Sequence, residues 1–180
     1  MNQLNNDTIL WNECRNGNAN ALAELFQNYF SEMMNFGKKI LADEEVVKDC
    51  IQDLFIEIWK QKNKLLLVSV KAYFIKSLQY KLIKIKKKQT NQQPFKINDD
   101  CYFEWGYDNF LIQLEEANLR AKKLIDAMRL LPKRQQEIVY LKFQLNLSYE
   151  EICEVMNIQY QVARNQISNA IKLLKGMLAP

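Results

Sequence analysis

Residues 148–174 read SYEEICEVMNIQYQVARNQISNAIKLL, and this stretch decides the fold. Ser148-Tyr149-Glu150-Glu151 is a capping box, in which the serine oxygen takes one orphan amide at a helix start and the glutamate three residues on takes another. The short helix it opens is expected to carry Ile152, Cys153 and Met156 inward. Asn157 follows, and asparagine is one of the few residues besides glycine that tolerate the left-handed backbone of a tight turn. Ile158 anchors the turn, and a second helix is expected over about 160–177. On it Ala163, Ile167, Ala170, Ile171 and Leu174 share one face, whereas Gln161, Arg164, Asn165, Ser168, Asn169 and Lys172 share the other. This is helix-turn-helix spacing, with amides and a guanidinium offered to base edges and phosphates. A merely solvated face would favour Glu and Lys, the better helix formers, so DNA binding is the expected use.

Composition agrees with a helical chain. Among 180 residues there are only 4 glycines and 3 prolines, which sheet proteins spend on turns, and 48% of the residues are hydrophobic, enough for a core. The length suits one domain or two small ones. No histidine occurs, which removes histidine triads, histidine-ligated zinc and imidazole proton shuttles. The glycines, at 17, 37, 106 and 176, are too far apart for a phosphate cradle. Cys14, Cys50, Cys101 and Cys153 are scattered without a metal-clip pair and read as reduced thiols. No signal segment opens the sequence, and the apolar run near Leu65 is far short of a membrane span. The expectation is a soluble, cytoplasmic, all-α protein that is no enzyme and needs no cofactor or metal.

Upstream, helices are expected over 8–16 with Asp7 as N-cap and Gly17 as stop, over 19–41, from just after Asp43 to about 61, and over 70–88. The polar run Gln89-Thr90-Asn91-Gln92-Gln93-Pro94 begins a flexible linker over 89–109, although Tyr102, Phe103 and Trp105 imply that part of it packs. Helical patterning resumes over 110–131, and Pro132 suits the first turn of a further helix reaching about 143. The domains are therefore 1–88 and 110–180.

Charge is unevenly spread. Residues 1–59 carry 4 basic and 10 acidic side chains, 60–88 carry 10 lysines and no acid, 89–118 carry 1 and 6, and 119–180 carry 10 and 5. Two basic blocks flanking an acidic one suggest two polyanion-facing surfaces, because so dense a run of like charge otherwise destabilises the fold.

Two blocks resemble the extracytoplasmic-function sigma factors of the sigma-70 family, in the right order and covering nearly the whole chain. Asp49-Cys50-Ile51-Gln52-Asp53-Leu54-Phe55-Ile56-Glu57-Ile58-Trp59 is similar to the helix of sigma domain two that binds core RNA polymerase, and Leu131-Pro132-Lys133-Arg134-Gln135-Gln136-Glu137 through Leu174 is similar to sigma domain four. The resemblance implies polymerase contacts from Asp49, Gln52, Asp53, Phe55 and Ile56. Independently, Val47, Ile51, Leu54 and Ile58 make a buried stripe, with Asp49, Gln52, Asp53 and Ile56 on another face. The resemblance further implies −10 recognition and melting from Lys71, Lys76, Tyr80, Lys81, Lys84 and Lys87, where lysines neutralise phosphates and an aromatic stacks on an unpaired base. It implies −35 reading by Gln161, Arg164, Asn165, Ser168, Asn169 and Lys172. The chain departs from the pattern at Gln79-Tyr80, where Arg-Asn is common, in the apolar loop Leu65-Leu66-Leu67-Val68, and at Asn169, where arginine is frequent.

By resemblance the protein is a transcription initiation factor, its partners being core RNA polymerase, promoter DNA and a membrane-anchored anti-sigma factor. Two other readings of the residues stay open: a free-standing helix-turn-helix regulator, which would bind duplex DNA alone, and a helical protein-binding adaptor, which would bind little nucleic acid at moderate salt.

Overall fold

Capping side chains and a few left-handed residues divide the chain into helices. The computed structural model describes residues 2–64, 69–89, 102–105 and 119–178. Their regular structure is entirely helical, and the chain forms two units, Met1–Pro94 and Phe95–Pro180. The apolar loop 65–68, most of the linker, Cys101 and the helical pattern expected over 110–118 lie outside the described residues.

The first unit holds α1 (Asn2–Arg15), α2 (Ala19–Lys38), α3 (Glu44–Gln61) and α4 (Val70–Gln89). Gly17, at φ 95°, ends α1, and the Asn18 side chain caps α2 by accepting the amides of Asn20 and Ala21. Asp43 caps α3 through the Val46 amide at 3.2 Å. The core is built from Leu25, Tyr29, Met33 and Phe36 of α2, Val47, Ile51, Leu54 and Ile58 of α3, and Phe74, Ile75, Leu78 and Leu82 of α4. Burying each such side chain contributes roughly 1.5–3 kcal/mol before chain entropy is charged against it. At Gly37 a Cβ would stand 2.5 Å from Val47 Cγ1 and 3.2 Å from Leu82 Cδ1, so α2 approaches α3 and α4 there only because the residue is glycine.

One expected boundary is corrected. Asp7 does not cap α1, which begins five residues earlier, at Asn2; its buried carboxylate accepts a hydrogen bond from the Tyr29 hydroxyl of α2. The polar residues at the start are indifferent helix formers, and a tertiary partner rather than local preference decides Asp7's role.

The second unit holds α5 (Leu119–Leu130), α6 (Lys133–Val139), α7 (Tyr149–Met156) and α8 (Tyr160–Leu178). Pro132 stands at the N-cap of α6, one place ahead of the first turn expected for it. Helix α6 widens into a π turn at Tyr140–Gln144, where the Leu145 amide reaches the Tyr140 carbonyl at 3.1 Å. Asn146, at φ 52°, then redirects the chain into the Ser148 cap. Residues 102–105, part of the linker in the sequence reading, pack inside this unit, with Phe103 and Trp105 buried against Tyr140.

Candidate nucleic-acid interface

The α7–α8 corner is held at both ends of its turn. Ser148 Oγ accepts the Glu151 amide at 3.1 Å while the Ser148 amide donates to Glu151 Oε2 at 2.7 Å, completing the capping box. Asn157 adopts φ 52°, ψ 51°, and the Ile158 amide returns to the Cys153 carbonyl at 3.2 Å. Ile152 and Val155 are the buried residues of α7, whereas Cys153 and Met156 are only half-buried.

Helix α8 packs against α5, α6 and α7 through Ala163, Ile167, Ala170 and Leu174, all buried. Two alanines in that stripe let the helix backbone lie close to its neighbours. Gln161, Arg164, Asn165, Ser168, Asn169 and Lys172 all emerge on the exposed side. Gln161 Nε2 donates to Asn165 Oδ1 at 3.0 Å, which aligns two of the amides. The Tyr160 ring meets that of Tyr149 at a tilt, centroids 5.5 Å apart, and Lys142 Nζ lies 4.9 Å from the Tyr149 ring. This cluster braces the entrance to α8; no periodicity in the sequence marks it.

The lysine-rich helix is sorted differently. Lys76, Tyr80 and Lys84 are exposed at successive i+4 positions, with Lys88 continuing the row. The other three proposed −10 residues are not on that row. Lys71 pairs with Glu32 at 2.9 Å, Lys81 pairs with Glu57 at 2.7 Å, and Lys87 is only 9% exposed. Lys86, one of the nearby lysines, donates to the Ile40 carbonyl at 2.7 Å. A helix packed against three others has little outward surface, so its remaining lysines lay their stems along the bundle and find acceptors at its edge.

On α3, Asp49, Gln52 and Asp53 are exposed and Ile56 is 51% exposed among them. Phe55 is a correction: only 6% exposed, it meets Phe26 edge to face at 5.1 Å and Phe74 at a tilt at 5.0 Å, and serves the core. Burial raises the thiols of Cys14, Cys50 and Cys153 above their ordinary range. Among the described residues no group of acidic and cysteine side chains could hold a metal ion, and no helix is long and apolar enough to cross a membrane.

Residues 121–174 match the family described as sigma-70, region 4. The RNA polymerase sigma factor HrpL of Pseudomonas syringae pv. syringae is 18% identical over 161 residues, spanning 88% of each chain. Among solved structures, CnrH in complex with the cytosolic domain of CnrY superposes with a TM-score of 0.65 at 16% identity, covering 96% of this chain and 97% of that one. The sigma factor RpoE in complex with the anti-sigma factor NepR, from Bartonella quintana, gives a TM-score of 0.55 at 14% identity over 87% and 95%. The capped helix-turn-helix, with its polar residues exposed along α8, lies inside residues 121–174. The helix-turn-helix thus falls within the match to sigma-70 region 4, and over most of its length the chain is similar to an RNA polymerase sigma factor.

Proposed function

We propose that the protein docks on core RNA polymerase through Asp49, Gln52, Asp53 and Ile56 of α3 and guides it to promoters that α8 reads at the −35 element and α4 engages at the −10 element. The observation that carries this reading is the sorting of α8: four small or aliphatic residues are buried and six hydrogen-bonding residues are exposed on one helix. Arg164 and Asn165 suit guanine and adenine edges respectively, while Lys172 suits a phosphate. On α4, Lys76 and Lys84 supply sequence-independent attraction to phosphates, and Tyr80 between them offers a ring to an unpaired base. On α3, an apolar residue ringed by two carboxylates and an amide fits a basic helix of the polymerase.

The protein works by binding alone, placing polymerase and stabilising separated strands, and acts in the cytoplasm. The two structural neighbours were solved with a protein bound, one of them an anti-sigma factor. A membrane-anchored anti-sigma factor is accordingly proposed as the regulator here.

Transcription in vitro with core polymerase and sheared genomic DNA tests the reading by mapping transcript 5′ ends. Discrete, protein-dependent starts sharing upstream motifs are expected. Their absence, together with failure to bind core, would favour the free-standing regulator. Asp53→Lys places a cation in the docking face on an exposed position, so it is expected to abolish core binding in a pull-down while leaving the circular dichroism spectrum intact; retained binding would move the docking face elsewhere.

A further inference from the structure

Tyr160 opens α8 and is 45% exposed, yet its ring is not loose. It leans at a tilt on the Tyr149 ring, centroids 5.5 Å apart. Tyr149 in turn lies under Lys142, whose Nζ is 4.9 Å from the ring centre and donates to the Leu147 carbonyl at 2.9 Å. A cation within about 6 Å of an aromatic face attracts it, so one end of this chain of contacts is tied to the backbone and the other presents a phenol to solvent. Among the described residues the Tyr160 hydroxyl makes no hydrogen bond.

Position on the helix decides what that phenol can meet. Arg164 lies one turn along on the same side and is exposed, whereas Ala163 and Ile167, three and seven residues on, are buried. Tyr160 therefore stands at the edge of the exposed polar face, between the side chains that point outward and those that pack. A major groove is about 12 Å wide and a helix with its side chains about 10–12 Å across, so the centre of such a face meets base edges and its flanks meet the phosphate walls. Tyr149 is in the first turn of α7, the helix that crosses the DNA backbone when a helix-turn-helix docks. In that docking both tyrosines fall on the phosphate side, and tyrosine hydroxyls are among the groups that donate to phosphate oxygens.

We propose that the Tyr160 hydroxyl donates to a phosphate at the edge of the −35 element and so fixes the seat of α8 in the groove, with Tyr149 as the positioning residue behind it. This rests on the −35 reading of α8 proposed above and adds two residues outside the set assigned to it. Because the ring is braced before DNA arrives, little rotamer freedom is lost on contact. A neutral hydroxyl displaces no counterion, so the contact contributes affinity without adding to the salt slope, as a lysine would. It carries no sequence information and sets register only.

The test measures promoter binding by core polymerase carrying the wild-type chain, Tyr160→Phe, Tyr149→Phe, Tyr149→Leu, or Tyr149→Leu together with Tyr160→Phe. Templates carry each base-pair change across the −35 element, or one methylphosphonate at a time along its two backbones. Tyr160→Phe keeps the ring and is expected to bind at least about fivefold more weakly on every −35 sequence, at an unchanged salt slope. At one phosphate, methylphosphonate substitution should weaken the wild type at least about fivefold and Tyr160→Phe less than about twofold. Tyr149→Phe is expected to match wild type, Tyr149→Leu to fall to the level of Tyr160→Phe, and the pair to fall no further. A Tyr160→Phe variant that binds as wild type does, or whose loss is confined to one base pair, overturns the phosphate contact, and neither result depends on Tyr149→Leu folding. A pair whose losses add overturns the positioning role of Tyr149. A wild type indifferent to the −35 sequence removes the reading of α8 and the proposal with it, whereas a wild type that discriminates beside an unaffected Tyr160→Phe removes the proposal alone.

Discussion

Helices α4 and α8 are both rich in groups that suit a polyanion, yet the fold treats them oppositely. Helix α4 has seven lysines, and packing against three helices leaves only part of them facing outward. Lys71 and Lys81 go to Glu32 and Glu57, Lys86 goes to a backbone carbonyl, and Lys87 is buried. Helix α8 has two basic residues in the set proposed to read the −35 element, and every member of that set is exposed. A long lysine stem lets its charge reach a partner from almost any position, so the number of lysines on a helix says little about how many meet DNA. Short amides and hydroxyls lack that reach, and their position on the helix decides what they face.

The sharpest way to break the comparison is at Arg164. Arg164→Ala is expected to cost about 1–3 kcal/mol at cognate −35 elements and to relax the base preference there, measured with a panel of promoter mutants. An unchanged preference would make Arg164 a phosphate contact and reduce α8 to the role assigned to α4. Next in size, the pair Lys76→Ala and Lys84→Ala should weaken promoter binding by the holoenzyme uniformly across sequences and lower the salt slope by about 2. Lys71→Ala with Lys81→Ala should leave that slope nearly unchanged, because those charges already face carboxylates; a slope that falls equally for both pairs would erase the distinction. Ser148→Ala, which removes one half of the capping box, should destabilise the second unit by about 0.5–2 kcal/mol in hydrogen exchange while leaving the first unit unaffected.

The smallest effect concerns the thiols. Burial raises Cys14 and Cys50 in the first unit and the half-buried Cys153 in the second, so the folded protein prefers all three protonated. The unfolded chain loses those protons first, near pH 8.5, so stability from these groups is complete below that pH and is lost as pH rises through the folded values. Mass mapping after brief alkylation should find Cys153 modified ahead of Cys14 and Cys50, since access as well as thiolate fraction limits the reaction.

Much of the architecture is legible in the residues because it depends on local chemistry. Asn18, Asp43 and Ser148 cap helices through their own side chains, Asn157 turns the chain in the left-handed region, and the 3.6-residue period assigns each face of α8. The same period assigns the α3 stripe, and with it the exposed setting of Asp49, Gln52, Asp53 and Ile56. Where those local rules stop, so does the reading. Phe55 stands next to exposed Ile56, and only the rings of α2 and α4 around it make it a core residue.

The sequence by itself determined the all-helical class, the helix-turn-helix and the set of side chains α8 presents, because each follows from contacts within a few residues. Only the tertiary structure decided which lysines of α4 face outward, that Asp7 serves Tyr29, and that Phe103 and Trp105 close on Gln136 and Tyr140. Those outcomes join residues more than 20 positions apart. They turn on where one element lies against another, which no local preference encodes.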